Sequence, residues 1–197
     1  MKEDIVFEHT LHKKFWKIIA ESIYTGENRY YGSKESAIVY GIKHGLFTSV
    51  ELDILTSSEH LCMACSYDEK CQDTDIGPCE NCPLVVPDRI CESFPIKYSK
   101  NGSCLRGLYD YFVDCSELVN FIDTLEQGIM DNDFDDNIRH ILHLNVNWVP
   151  LYIPVNKNFH KYRLKHLHYV KRKLIKSLVH IARTIANLPV APGIRTI

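Results

Sequence analysis

The chain has 197 residues, 45% hydrophobic and 24% charged, with a formal net charge of −2. That is the make-up of an ordinary soluble globular protein, long enough to bury a core as one large domain or two small ones without a metal to hold the whole chain together. No stretch approaches the uninterrupted apolar length of a membrane span, so no membrane partner is expected.

In chain order, residues 9–25 read as a helix. Leu11, Phe15, Ile18, Ile19 and Ile23 recur at the three-and-four spacing of one face, and Gly26 is its stop. Tyr30-Tyr31-Gly32 reads as a turn. Ser33 then caps a second helix that carries Ala37, Ile38, Tyr40 and Ile42 and ends at Gly45. Thr48-Ser49-Val50-Glu51 matches a capping box, which starts a short third helix over 49–56. From His60 to about Ser103 cysteine, proline, aspartate and glycine dominate and no period is sustained. A structureless loop of that length is uncommon in a compact domain, so something other than regular secondary structure is expected to organise it.

Periodicity resumes with Leu105, Leu108, Tyr109, Phe112, Cys115, Val119, Ile122 and Leu125, a helix ending at Gly128 with Ser116 as its weak point. Asp133 to His143 suggests a further short helix. Asn145 to Val155 holds Val146, Trp148, Val149, Leu151, Tyr152 and Ile153 between prolines and reads as an extended or edge segment. A final helix covers about 158–187, with an apolar stripe of Leu167, Leu174, Leu178, Ile181, Ile185 and Leu188, ended by Pro189 and Pro192. The expected architecture is mainly α. An N-terminal helical segment (1–58) is followed by a cysteine-rich insert (59–103), then by a helical segment (104–197) with acidic and basic halves and a short extended or β segment near 145–155. The three form one compact unit.

Eight cysteines fit either an oxidising compartment with disulfides or a reducing one with metal. Met1-Lys2-Glu3-Asp4 opens a charged stretch with no apolar h-region and no small-residue cleavage site, so no signal peptide is read. The cytoplasm is the expected location, and reduced thiols there favour metal. Cys62-Met63-Ala64-Cys65 and Cys79-Glu80-Asn81-Cys82 are two CxxC pairs with 13 residues between them. Zinc prefers four tetrahedral N or S ligands; one CxxC turn supplies two thiolates along an edge and a second closes the set. The expectation is a structural zinc site of Cys62, Cys65, Cys79 and Cys82, contributing on the order of 10 kcal/mol to folding. Cys71, Cys91 and His60 are the alternative ligands. An iron–sulfur cluster lacks the compact ferredoxin spacing, and a redox CxxC lacks a βαβ neighbourhood. Disulfides or free thiols are the remaining reading. Cys115, on an apolar helix face, reads as a small buried hydrophobe.

The string CxxC, a polar stretch, CxxC-Pro83-Leu84 and then Cys91-Glu92-Ser93-Phe94-Pro95 resembles small cysteine-rich zinc-binding proteins encoded by bacteriophages, mostly of unknown function. In those proteins a helical N-terminal segment precedes the cluster and an aromatic-rich helix follows it, here from Leu108-Tyr109-Asp110-Tyr111-Phe112. The resemblance covers residues 60–125; Cys71 and the basic C-terminal part lie outside the pattern. It implies a phage setting, in the cytoplasm of the host cell, and metal binding rather than a particular activity.

From Asp110 to Ile138 there are nine acidic residues and no basic one; from Lys157 to Leu188 there are nine basic residues and no acidic one. One reading is a basic helix that neutralises phosphates through Lys171, Arg172, Lys173 and Lys176, with interleaved aromatic residues to stack on bases. The other is that the two segments pack against each other or that the lysines solvate one helix face. Asp131-Asn132-Asp133-Phe134-Asp135 begins like a calcium loop, but Asp136 and Leu142 stand where glycine and glutamate are required. The pairs His9/His12 and His140/His143 share helix faces and read as ordinary core or surface histidines before metal ligands. No P-loop, GxGxxG or GxSxG is present. The function expected is that of a non-enzymatic phage-type interaction protein acting on a host protein of defence or transcription. A nucleic-acid-binding protein is the alternative, and an enzyme such as a nuclease with a non-motif site the second alternative. A homo-oligomer through the C-terminal apolar stripe is open.

Overall fold

The computed structural model describes residues 5–28, 31–58, 60–71, 82–87, 89–90, 104–130 and 159–197. Among these, six helices follow in order: α1 His9–Tyr24, α2 Lys34–Lys43, α3 Ser49–Ser57, α4 Met63–Cys71, α5 Cys104–Met130 and α6 Phe159–Ala186. The protein is mainly α, and β-structure among the described residues is limited to two isolated bridges. The helix expected over 133–143 and the extended segment near 145–155 lie outside the described residues.

The core is organised around α6. Leu167, Val170, Leu174, Leu178, Ile181 and Ile185 step along it by three or four residues, and each is at most 2% exposed. α6 packs against both α1 and α5. α1 contributes Leu11, Phe15, Trp16, Ile19 and Ile23 to the shared core, and α5 contributes Leu108, Phe112, Cys115, Val119 and Ile122. Trp16 meets Phe112 edge-on with centroids 5.2 Å apart, which joins α1 to α5 directly. Each such side chain stabilises the fold by roughly 1.5–3 kcal/mol on burial. The six side chains of the expected oligomer stripe are all buried within their own chain, so that stripe is not offered to a second copy.

The shorter elements follow local rules. Ser33 Oγ accepts the Ser36 N–H at 3.2 Å and starts α2. Thr48 Oγ1 accepts from Glu51 N at 3.2 Å while Glu51 Oε2 accepts from Thr48 N at 2.7 Å, a complete capping box for α3. Lys14 Nζ reaches both oxygens of the same carboxylate at 2.7 and 2.8 Å and ties α3 to α1. Lys14 first, then the Thr48 amide, hold the Glu51 carboxyl below its ordinary range.

On α2, Ala37, Tyr40 and Gly41 face inward, while Ile42 is 55% exposed. α2 is apolar on more than one side, so spacing alone does not identify its buried face. At Gly41 there is room for no side chain, because a Cβ would lie 2.1 Å from the Phe47 ring. One expectation is corrected here: α4 is a helix inside the stretch expected to lack regular structure. It runs for nine residues, and only Met63 and Ala64 in its first turn are fully buried among the side chains described there, too few to show a period. α5 is also unbroken at Ser116, whose hydroxyl donates to the Val113 carbonyl at 2.8 Å and so stays within its own helix.

Beyond α6 the chain returns as a tail that binds two other segments. Phe7 N donates to Arg195 O at 2.8 Å, Ile197 N to Phe7 O at 3.2 Å, and Thr10 N to Ile197 O at 3.1 Å. The last bond satisfies an amide in the first turn of α1, whose Glu8 cap position makes no side-chain hydrogen bond.

His12 is one of four buried polar residues among those described, with Ser22, Asn28 and Ser116. It is fully buried, with Phe7 at 5.4 Å and Trp16 at 6.4 Å between ring centroids. Its ring lies beside the Ile185 carbonyl, but neither nitrogen reaches full hydrogen-bond geometry. Burial is the main cause that lowers its pKa from 6.5 to about 4. The unfolded chain therefore takes up a proton below pH 6.5 while the folded chain stays neutral down to about pH 4. Stability associated with neutral His12 is complete above pH 6.5 and is lost as pH falls to 4, a total of about 3 kcal/mol. Urea denaturation at pH 7 and pH 4.5 is expected to show a smaller pH penalty in His12→Leu than in wild type; equal penalties mean that His12 is not the titrating group.

Candidate metal centre

Cys62 stands immediately before α4. Its carbonyl accepts from Cys65 N at 3.0 Å and from Ser66 N at 3.4 Å, so the first CxxC is the opening turn of the helix. This turn brings the two sulfurs together, and their side chains are hydrogen-bonded. Cys62 is buried with Met63 and Ala64, while Cys65 is half-buried and packs on the same core.

Cys82 arrives from the second pair and is held from behind. Pro83 O accepts from Ala191 N at 2.8 Å, Val85 N donates to Pro189 O at 2.9 Å, and Leu84 forms an antiparallel bridge with Val190. Three consecutive residues after Cys82 are thus paired with the tail leaving α6. Proline at 83 donates no amide, and its carbonyl is the group used.

The three sulfurs act on one another. The side-chain hydrogen bond to Cys65, then burial, then the charges of Cys65 and Cys82 push the Cys62 thiol well above its ordinary value. Tyr109 of α5 faces the same group. Burial first, and then the charges of Cys62 and Cys65, raise its hydroxyl to about 12. Its ring meets Trp16 edge-on at 6.5 Å, so the cysteines are backed by the α1–α5 contact. The Cys62 thiol in this setting resists ionisation. A divalent cation reverses that balance, since a coordinated thiol is deprotonated outright.

Of the four expected zinc ligands, the structure brings Cys62, Cys65 and Cys82 into one neighbourhood; Cys79 lies outside the described residues. Among the described residues, no group of three His, Cys, Asp or Glu side chains is arranged closely enough to hold a metal ion. In kind, as soft sulfur donors, the three cysteines fit zinc. Of the alternatives, His60 is exposed and Cys91 lies outside the described residues. Cys115 is a buried thiol in the core, pushed up to about 12 mainly by burial. His12 belongs to the core, and His140 and His143 lie outside the described residues.

The tentative phosphate-binding residues divide into two groups. Lys171 is half-buried against α5, with its Nζ paired to Asp123 and 3.3 Å from Glu126. Arg172, Lys173 and Lys176 are exposed. Sequence reasoning missed Tyr109 and the tail residues Pro189, Val190 and Ala191. Tyr109 was assigned only to the apolar face of its helix, and backbone pairing by the tail leaves no residue signature.

No family model, no curated protein and no solved structure matches this chain.

A chain ending at Leu188 loses all the tail bonds, each worth about 1 kcal/mol net. It is expected to melt at lower temperature. While still folded, it should react with iodoacetamide at Cys82 several-fold faster than the full chain, with Cys115 unchanged. Equal rates at Cys82 would mean that the tail does not hold this segment.

Proposed function

We propose that the chain is a zinc-stabilised, non-enzymatic interaction protein of the phage type, which binds and modulates a host protein in the host cytoplasm. A component of defence or transcription is the target class that the resemblance suggests. The observation that carries the reading is the meeting of Cys62, Cys65 and Cys82 at the joint of α4, α5 and the tail, packed on the same apolar cluster as Met63, Ala64 and Leu84. In this proposal Cys79 completes the set. A site walled by core side chains suits structural zinc, because catalytic zinc keeps a coordination position open to substrate.

The metal then fixes the shape, and the surfaces it supports do the binding. Val39 and Ile42 lie one turn apart on α2 and are 64% and 55% exposed, with Val50 at the start of α3 65% exposed. In this reading Val39 and Ile42, neighbours on one face of α2, belong to the surface that meets the protein partner.

The reduced protein is expected to carry one zinc per chain. Cys62→Ser and Cys82→Ser should lose the metal and cooperative unfolding, whereas Cys115→Ser keeps its zinc. Less than about half an equivalent of zinc, or a brown iron–sulfur chromophore, overturns the site, since structural sites are normally saturated. For the partner, a pull-down from host lysate should recover a protein that Val39→Asp with Ile42→Asp no longer captures, while zinc content stays the same. Retained capture would remove α2 from the binding surface.

A further inference from the structure

A different surface, independent of the zinc reading, lies on the outer face of α6. The nine basic residues of 157–188 are not equivalent once the helix is packed. Lys171 is taken by Asp123 and Glu126, and His168 Nδ1 sits 3.0 Å from Glu126. Arg172, Lys173, Lys176 and Arg183 are exposed, and among the described residues no carboxylate pairs with any of them.

Their positions form a row. At about 100° per residue, measured from Leu167, the buried Leu174, Leu178, Ile181 and Ile185 fall within about 40° of that direction. Arg172, Lys176 and Arg183 fall at about 140–180°, and Lys173 at about 240°. The cations therefore occupy the face opposite the core. At 1.5 Å per residue, the span from Arg172 to Arg183 is about 16 Å. Phosphates on one strand of a DNA duplex are spaced about 3.4 Å along the axis, so the row faces about five of them.

The packing also limits how contact is made. α6 is buried along its inner face from Leu167 to Ile185, so only its outer face can meet a duplex. Base stacking is hindered as well: the Lys173 ammonium lies over the Tyr169 ring at 4.9 Å and occupies one of its faces. What remains is a row of exposed cations that no carboxylate pairs among the described residues. The formal net charge of −2 means that the protein as a whole does not attract a polyanion, so any binding is local to this row.

We propose that Arg172, Lys173, Lys176 and Arg183 dock on the phosphate backbone of double-stranded DNA. The test is fluorescence anisotropy with a labelled 20-base-pair duplex, titrated with the full-length protein between 50 and 200 mM NaCl. The expected affinity falls with salt at a logarithmic slope of about −3 to −4, the value for four phosphate contacts. Changing all four residues to Gln should weaken binding at least tenfold at 50 mM NaCl and flatten the slope. Lys171→Gln, whose cation already faces α5, should leave the slope unchanged. Melting temperature and zinc content of each variant show whether the fold and the cysteine site persist, so loss of this surface is distinguishable from loss of the metal reading. No duplex binding at 50 mM NaCl, unchanged affinity in the fourfold variant, or tighter binding to a single strand of the same length overturns the proposal.

Discussion

The burial of one face of α6 is the constraint on which the other described elements depend. Six aliphatic side chains from Leu167 to Ile185 are removed from water against α1 and α5, and neither of those helices has a comparable alternative partner among the described residues. The helix also fixes where the chain goes next. It ends at Ala186, and Pro189 three residues later cannot continue it. The tail is thereby directed across Pro83–Val85 and on to Phe7, linking the insert and the N-terminus through backbone bonds. Backbone pairing of this kind requires only that the two segments arrive extended and adjacent, and the end of α6 supplies that.

This arrangement changes what the cysteine-rich stretch is. An insert held by metal alone would be a separate miniature domain, folded or unfolded with its ion. Here Cys62, Met63, Ala64 and Leu84 are members of the same buried cluster as Trp16, Phe112 and Leu188. Burial gathers the sulfurs with Cys62 kept a neutral thiol: its hydrogen bond to Cys65, then burial, push it well above its ordinary value, and burial first, then the same cysteines, pushes Tyr109 up. The core thus does part of the work of bringing these side chains toward one another.

The sequence was most informative where structure is decided within a few residues. Ser33, the Thr48–Glu51 box and the apolar steps of α1, α5 and α6 are local signals, and each element begins or runs where its signal stands. The proximity of Cys62 and Cys65 is local in the same sense, since a CxxC turn sets it. α4 was hidden because it is only two and a half turns long and because its first turn carries a pattern that reads as a metal knuckle. The position of Cys82 was hidden for another reason. It rests on Pro83 and Val85 pairing with residues more than a hundred positions away, and neither partner's side chain takes part.

The charge run lies between these cases, legible in principle but obscured by counting charges along the chain. Lys171 and Lys173 are two residues apart with the same charge, yet a two-residue step turns a helix by about 200°. Lys171 comes four residues after Leu167 and three before Leu174, which places it at the margin of the buried stripe, where it meets the carboxylates of α5. Arg172, Lys173 and Lys176 fall between successive members of that stripe and face outward. The alternatives of internal pairing and outward display were therefore never exclusive. A helix with one buried face divides any continuous run of like charge into residues that pair with the neighbouring element and residues that keep their full charge toward solvent, and the division is set by the apolar residues rather than by the charged ones.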